Sequence, residues 1–275
     1  MMVKVVTDSC SDIPQEIVQE LGISVIPLHV YFGDEEFQDG VNLTPDEFYN
    51  KLAGGMYPRT TQPSPVAFIE TFKKLATETK EIFSVHLSKK LSGSYNSASI
   101  AQAEVEQICR VEVVDSLMAS MGVGLLAIKA AKAAIDGANL DQIKMLLEEA
   151  IPKTHFIGAL DTLEYLHKGG RLGKGQALLG SVLNMKPLLH IKDGEVYPLE
   201  RTRGREKALT RLCQLVGGFH DIEDMAVMYA TTPDEAERLR DKLAWEGTAH
   251  MARIGPTIGT YMGPGALAVA LIERG

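Results

Sequence analysis

The sequence predicts an α/β protein of two domains, the first with a mostly parallel sheet flanked by helices and the second with a mixed sheet. Strand and helix signals alternate through the first half, which is typical of parallel sheets. In the second half, Asp193-Gly194 separates two apolar runs and indicates a β-hairpin, so this sheet must be mixed. The 275 residues fit one large or two modest domains. We expect two, residues 1–152 and 153–275, divided at Ile151-Pro152-Lys153.

Helix-capping residues and the periodicity of apolar residues predict the helices and strands of the first half. Three helix starts pair a capping side chain with a proline: Asp12 with Pro14, Thr44 with Pro45 and Glu47, and Ser64 with Pro65. Gly22 ends the first of these helices. Val25 to Tyr31 and Ile82 to Leu87 read as buried strands, and Gln142 to Ala150 reads as an amphipathic helix.

The second half continues beyond the hairpin with a strand, a helix and another strand. Met225 to Tyr229 is predicted to be a strand, and Pro233 to Trp245 the helix that follows it. Ala249 to Ile254 is predicted to be a strand that leads into a glycine-rich loop, IGPTIGTYMGPGA, at residues 254–266.

Composition excludes several classes of protein. The net charge of −8 at pH 7 makes nucleic acid a poor partner, because the chain as a whole repels phosphate backbones. The three cysteines are widely spaced without a CxxC pair, which argues against disulfides and a zinc site. The most apolar helix, which begins at Gly122, is too short to span a bilayer and contains Lys129 and Lys132. We therefore expect a soluble cytoplasmic protein with no membrane segment, metal or cofactor.

Hydroxyl-rich loops follow several strand-like runs and predict a cradle for an anion or a polar headgroup. Free backbone N–H groups and hydroxyls gathered at strand ends bind oxyanions without a metal or a nucleophile. Five such stretches occur: residues 3–12, 83–94, 110–116, 156–173 and 254–266. The segment RTTQPSP, from Arg59, adds a sixth loop that opens a helix.

Two glycine motifs resemble nucleotide-binding motifs but lack the preceding strand or the residue spacing that such motifs require. GVGLLA at Gly122 matches a dinucleotide string, yet SLMASM separates it from the preceding strand, so close helix packing explains these glycines better. HKGGRLGKG, from His167, lacks phosphate-loop spacing and reads as a basic, flexible recognition loop. No HExxH motif, paired-carboxylate helix or serine elbow supports catalysis. Cys10 could be a reactive thiol or a small packing residue.

Several candidate ligand residues also have a purely structural explanation. Ser64 has the spacing of a helix cap, whereas Thr60 and Thr61 lie further upstream than a cap requires, so at least one could contact a ligand. Ser92-Gly93-Ser94 could equally be a plain turn between a strand and a helix.

Segments along the whole chain resemble the successive signatures of the DegV family. They are TDSCSDIP, TTQPSP, LSKKLSGSYNSA, VVDSLMASMGVG, TLEYLHKGGRLG, MKPLL, RTRGREKAL and GPTIGTYMGPGAL. The resemblance implies two α/β domains that enclose a long-chain fatty acid. It also implies a FakB-like role, that of the acyl-carrying subunit of a bacterial fatty acid kinase. In that role the protein is not itself an enzyme; a separate kinase subunit phosphorylates the bound carboxylate to an acyl phosphate, which feeds phospholipid synthesis.

The resemblance also implies site residues. Thr60 and Ser92 correspond to the family's carboxylate-binding threonine and serine, with Thr61 and Gly93 beside them. Two basic segments of the family correspond to Arg171 and to Arg201-Thr202-Arg203, which are expected to contact the kinase or its phosphates. This chain has Thr61 where the family usually has serine and Tyr261 where it usually has histidine, so Tyr261 is a further candidate for the headgroup network.

The ligand cavity should have apolar walls, because burying a methylene contributes about 0.8 kcal/mol and a long acyl chain contains many. Candidates for the lining are Met118, Met121, Met185 and Leu188. Two other functions stay open. One is an enzyme that uses the same loops as an oxyanion site for a small substrate; the other is a stand-alone protein for fatty acid storage or transport.

Overall fold

The computed structural model describes residues 2–178, 185–243 and 245–274. Within these residues the strands form three sheets, and helices cover their faces. The strands are β1 Lys4–Asp8, β2 Ser24–Ile26, β3 His29–Phe32, β4 Glu35–Gln38, β5 Arg59–Thr61, β6 Glu81–His86, β7 Arg110–Asp115, β8 Thr154–Ala159, β9 Met185–Lys192, β10 Glu195–Arg203, β11 Ile222–Tyr229, β12 His250–Arg253 and β13 Leu267–Glu273. The α-helices are α1 Gln15–Leu21, α2 Pro45–Ala53, α3 Pro65–Leu75, α4 Ser94–Val105, α5 Met121–Ile135, α6 Leu140–Ala150, α7 Glu164–Lys168, α8 Arg205–Val216, α9 Pro233–Leu243 and α10 Pro256–Met262.

The predicted mixed α/β fold is confirmed, with one addition. A four-stranded parallel sheet has the order β2-β1-β6-β7, and a six-stranded mixed sheet has the order β10-β9-β8-β13-β11-β12. A small antiparallel sheet, β4-β3-β5, is the addition. The predicted strand at Val25 to Tyr31 is therefore wrong as a single element: its two halves, β2 and β3, belong to different sheets, and Pro27 lies between them.

The predicted capping is confirmed for α2 and α3 but is wrong for α1, whose N-cap is Pro14 and receives no side-chain hydrogen bond, because Asp12 instead ends the preceding 3-10 turn. The side chains of Thr44 and Glu47 complete a reciprocal capping box on α2, and Ser64 accepts a hydrogen bond from the backbone N–H of Ala67 on α3. The hairpin of β9 and β10 is confirmed, and both turn residues, Asp193 and Gly194, have positive φ as a type I′ turn requires. The predicted helix from Pro233 ends at Leu243, and its expected continuation crosses residue 244, which lies outside the described residues.

Helix α5 is the central packing element of the fold. Eleven of its fifteen residues are buried, and it contacts β1, β6, β8, β11 and β13. A Cβ atom at Gly124 would lie 2.6 Å from the carbonyl oxygen of Ser11, closer than real Cβ atoms approach. The glycines of GVGLLA therefore serve close packing within a helix, as predicted.

Strand alternation divides the six-stranded sheet into two faces. Phe156, Leu160 and Leu189 belong to the largest apolar cluster among the described residues. Ile157 and Leu188 belong to a second cluster on the opposite face, which α8 and α9 cover. The largest cluster contains residues from both halves of the chain, from Val3 to Ile272. The two main sheets fall on either side of residue 153, but the division at Ile151–Lys153 separates sheets and not cores, and it stays a prediction.

Candidate functional site

An enclosed cavity lies on the face of the six-stranded sheet that carries Phe156 and Leu189, between this sheet and loops of the first half of the chain. It contains about 840 Å³ of space not occupied by protein atoms, a volume that includes solvent at its open mouth. Most of its wall is apolar: Leu28, Leu87, Leu91, Ala119, Phe156, Gly158, Leu160, Leu166, Leu189, Ile191, Val196, Ile258 and Met262. Such a wall can desolvate a long hydrocarbon chain.

Polar side chains also lie in the wall, and we call five of them the polar cluster: Thr60, Gln62, Ser92, Arg171 and Tyr261. The hydroxyl groups of Thr60 and Tyr261 share a hydrogen bond of 2.6 Å. Gln62 and Arg171 are exposed, which places the cluster where the cavity meets solvent. The cluster therefore offers neutral and cationic donors to an anionic or polar group that enters with an apolar chain behind it.

The Thr60 segment supplies one side of the polar cluster. Thr60 pairs with Val30 and Thr61 with His29 in the small antiparallel sheet, so the two threonines point to opposite faces of β5. Thr60 is half-buried in the cavity wall, whereas Thr61 is exposed and outside that wall. The sequence left open which of the two contacts a ligand, and this geometry favours Thr60.

The Ser92 turn supplies a second side of the cluster. Ser92 accepts a hydrogen bond of 3.3 Å from the backbone N–H of Ser94, the first residue of α4. A Cβ atom at Gly93 would lie 3.0 Å from the side chain of Gln62, so glycine lets the two loops approach each other closely. Gln62 belongs to the TTQPSP motif but was missed as a candidate because an exposed glutamine carries no specific signal in sequence.

Tyr261 lies on α10, in the segment that the sequence analysis expected to be a glycine-rich loop. That expectation is wrong for residues 256–262, because Pro256 begins a helix there. A Cβ atom at Gly259 would lie 2.7 Å from the hydroxyl of Tyr49 and 2.8 Å from the ring of Phe48. Gly259 therefore serves close packing of α10 against α2, and this packing directs Tyr261 towards Thr60.

Arg171 lies beside Tyr261, at the mouth of the cavity. It donates hydrogen bonds to the carbonyl oxygens of Leu91 at 3.2 Å and Gly169 at 2.8 Å. Its guanidinium carbon lies 5.2 Å from the centre of the Tyr261 ring, a cation–π distance. Arg201 is half-buried on β10 and Arg203 is exposed at the end of that strand; neither belongs to the cavity wall. The three arginines therefore do not lie in one environment.

The four residues proposed to line an acyl chain lie outside this cavity wall. Met118 and Met121 are buried in the largest apolar cluster, and the residues between them, Ala119 and Ser120, line the cavity. Leu188 packs in the second cluster, while its neighbour Leu189 lines the cavity. Met185 is half-buried at the start of β9, opposite Arg203 of β10.

Nucleophilic chemistry finds little support among the described residues. Burial and the nearby carboxylate of Asp8 raise the pKa of the Cys10 thiol well above its ordinary value, which keeps it neutral in the cavity wall. Ser84, His86 and Asp8 are spaced like a catalytic triad, with hydrogen bonds of 2.7 Å and 2.8 Å. All three are fully buried and outside the cavity wall, so no substrate can reach Ser84.

Two further observations concern the described part of the chain. No group of three or more His, Cys, Asp or Glu side chains there is arranged to hold a metal ion. Nor does any helix in these ranges combine the length and apolar character needed to cross a bilayer.

An apolar cavity with a hydroxyl-rich polar cluster at its mouth defines a class of protein that can enclose an amphipathic ligand. The chain belongs to the DegV family, whose sequence profile matches residues 2–274. It is 35% identical to the DegV domain-containing protein TTE1491 of Caldanaerobacter subterraneus subsp. tengcongensis over 99% of each chain.

Solved structures of similar proteins agree with this assignment. A DegV family protein from Thermus thermophilus, described as fatty acid binding, matches with a TM-score of 0.92 and 33% identity over 100% of each chain. DegV from Bacillus subtilis, described as a fatty acid binding protein, matches with a TM-score of 0.90 and 30% identity over 100% of each chain.

Proposed function

We propose that this protein binds a long-chain fatty acid in its cavity and presents the carboxylate to a separate kinase subunit, which phosphorylates it to an acyl phosphate. The observation that carries the proposal is the junction of the apolar cavity with the polar cluster. An acyl chain of about fifteen methylenes would gain on the order of 10 kcal/mol from burial before ordering costs. The fatty acid binding described for similar proteins supports the same ligand class.

In this proposal the hydroxyls of Thr60, Ser92 and Tyr261 hold the carboxylate. Neutral donors orient an anion without neutralising it, which suits a carboxylate that must later attack a phosphoryl group. The hydrogen bond between Thr60 and Tyr261 fixes the position of both hydroxyls before the ligand arrives. Thr61 and Gly93 lie outside the cavity wall, and Gly93 contributes by letting its loop approach Gln62 closely. Arg201 and Arg203 stay candidates for contact with the kinase.

Purified protein is expected to carry fatty acid. After expression in a bacterial host, native mass spectrometry should show one bound fatty acid per chain, because the apolar cavity favours retention through purification. Organic extraction followed by gas chromatography identifies its length and saturation. Protein that yields no fatty acid and also fails to bind added palmitate or oleate would contradict the proposal. Binding without phosphorylation by any fatty acid kinase would instead favour storage or transport.

Tyr261 offers a second test, because its hydroxyl bonds Thr60. Tyr261→Phe removes one hydrogen bond worth about 1 kcal/mol and should weaken fatty acid binding by roughly fivefold. Tyr261→His should restore binding and introduce a dependence on pH between about 6 and 7.5, since an imidazole ordinarily titrates near pH 6.5. Fatty acid titrations across this range measure both effects. Tyr261 has no headgroup role if the Phe variant matches wild type and the His variant shows no pH dependence.

A further inference from the structure

Two carboxyl groups from the first half of the chain hold the start of α10. Asp12 accepts a hydrogen bond of 2.9 Å from the backbone N–H of Gly255, and Asp39 accepts one of 3.1 Å from the backbone N–H of Thr257. A Cβ atom at Gly255 would lie 2.9 Å from Asp12 Oδ1 and 3.4 Å from Asp39 Oδ1. The two carboxyl groups therefore converge on one point, where glycine is needed to admit both.

The surroundings of Asp12 can accommodate the neutral carboxylic acid as well as the carboxylate. Its Oδ2 lies 2.6 Å from the hydroxyl of Ser120, and that hydroxyl lies 3.3 Å from the sulfur of Met228. A protonated Asp12 can donate to Ser120, whose own hydrogen then points to Met228, while Oδ1 still accepts from Gly255. The polar groups of Gly255, Asp12 and Ser120 all keep a hydrogen-bond partner when Asp12 carries a proton.

Asp39 is placed differently. It accepts hydrogen bonds from the Ser9 hydroxyl at 3.0 Å and from the Thr257 N–H, both of which favour its anionic form. Burial raises the pKa of Asp12 to about 8 and that of Asp39 to about 6, and for each the hydrogen bonds oppose the effect of burial. Of the two carboxyl groups, Asp12 therefore keeps its proton to the higher pH.

This pair bears on the cavity because α10 forms part of its wall. Thr257, Ile258, Tyr261 and Met262 line the cavity, and Tyr261 belongs to the polar cluster. We propose that Asp12 and Asp39 form a proton-dependent clamp that positions α10, and with it Tyr261, so that loss of the Asp12 proton speeds ligand release. The ligand part of this proposal rests on the proposed function; the effect on α10 does not.

The sign of the pH dependence follows from linkage. When α10 is clamped, Asp12 binds a proton up to about pH 8, whereas a solvated aspartate loses it near pH 4. The clamped state thus binds more protons between these values, and it becomes less stable as the pH rises towards 8. Ionised Asp12 would place a second negative charge beside that of Asp39, and the two would repel each other. The other titratable or charged groups around the pair are Asp8, Cys10 and Tyr49 and, in the adjoining surface cleft, Glu16, Tyr229 and Arg253.

The test compares wild type with Asp12→Asn, whose carboxamide can donate to Ser120 and accept from Gly255 as the neutral acid does. With cis-parinaric acid as the fluorescent ligand, the wild-type dissociation rate should rise about tenfold between pH 6.5 and 9. The rate for Asp12→Asn should change less than twofold. Asp136→Asn, an exposed aspartate at the end of α5, should behave as wild type.

A second measurement needs no ligand. In delipidated protein, the thermal unfolding midpoint of wild type should fall more between pH 6.5 and 9 than that of Asp12→Asn. Equal pH dependence of the two proteins in both measurements would overturn the clamp. If cis-parinaric acid does not bind, the proposed function fails and the unfolding midpoints alone decide the clamp. If Asp12→Asn does not fold, carboxyl ¹³C NMR of wild type decides it: titration of Asp12 near pH 8 supports the clamp, and titration near 4 refutes it.

Discussion

The double variant Thr60→Ala/Ser92→Ala is expected to bind fatty acid and yet to form acyl phosphate at least ~100-fold more slowly than wild type with a fatty acid kinase and ATP. Each substitution removes one hydrogen bond of about 1 kcal/mol to the carboxylate, so affinity should fall only several-fold for each. The apolar wall still retains the chain. Phosphoryl transfer needs the attacking oxygen held in line, and a misplacement of about 1 Å can cost on the order of 10²-fold in rate.

Thr61→Ala is the matched control for this experiment. Thr61 is adjacent to Thr60 on the same strand but exposed and on the opposite face, so its removal should leave both affinity and turnover unchanged. Fatty acid titration measures affinity, and a hydroxylamine assay measures acyl phosphate. Normal turnover by the double variant would contradict the assignment of the carboxylate site. Equal losses in the Thr61→Ala control would show that the loop, and not the hydroxyls, is responsible.

The parts of the fold that depend on neighbouring residues could be predicted from sequence. The capping box of Thr44 and Glu47 and the turn at Asp193-Gly194 involve bonds and dihedral angles within four residues, so the local sequence contains the whole interaction. The hydroxyls of Thr60 and Ser92 were candidates because they lie in hydroxyl-rich segments, and their role at a carboxylate was implied by the resemblance to the DegV family.

The walls of the cavity could not be predicted, because they depend on which face of a buried strand points inward. In β9, Met185, Pro187, Leu189 and Ile191 alternate with Lys186, Leu188, His190 and Lys192, so one face is apolar and the other is mostly polar. The sequence analysis chose Leu188, the apolar residue of the polar face, but Leu189 lines the cavity while Leu188 packs beneath α8. A shift of one residue in the register of β9 would exchange the positions of Leu188 and Leu189. The periodicity of Met118 and Met121 gives no inward face either, because residues 118–128, in the preceding loop and the first two turns of α5, are all buried.

Contacts across long stretches of sequence were also beyond local reasoning. The segment from Ile254 to Ala266 has the glycine content of a loop, yet Gly259 is needed inside a helix that packs on Phe48 and Tyr49. The contacts of Asp12 and Asp39 with α10 give no signal in sequence, because their partners Gly255 and Thr257 lie more than two hundred residues away. Their burial arises from the tertiary structure.

Charge reversal at Arg171 is expected to impair fatty acid binding, whereas charge reversal at Arg203 is expected to impair phosphorylation. The sequence analysis grouped both as contacts of the kinase, but Arg171 belongs to the polar cluster and stacks on Tyr261, whereas Arg203 is exposed and outside the cavity wall. Arg171→Glu should weaken fatty acid binding at least ~10-fold, because it places a negative charge beside the ligand carboxylate. Arg203→Glu should bind fatty acid as wild type does and lose most of its phosphorylation.

The two variants control for each other, since each makes the same chemical change at a different distance from the carboxylate. Calorimetric titration with oleate measures ligand binding, and a pull-down with the kinase subunit measures association independently of turnover. If Arg171→Glu binds fatty acid normally but no longer associates with the kinase, Arg171 contacts the kinase, as the sequence analysis expected, and not the ligand. Arg203→Glu with full turnover would exclude Arg203 from the interface, because a reversed charge at a contacting position disfavours association with an anionic or phosphate-bearing partner and slows its formation.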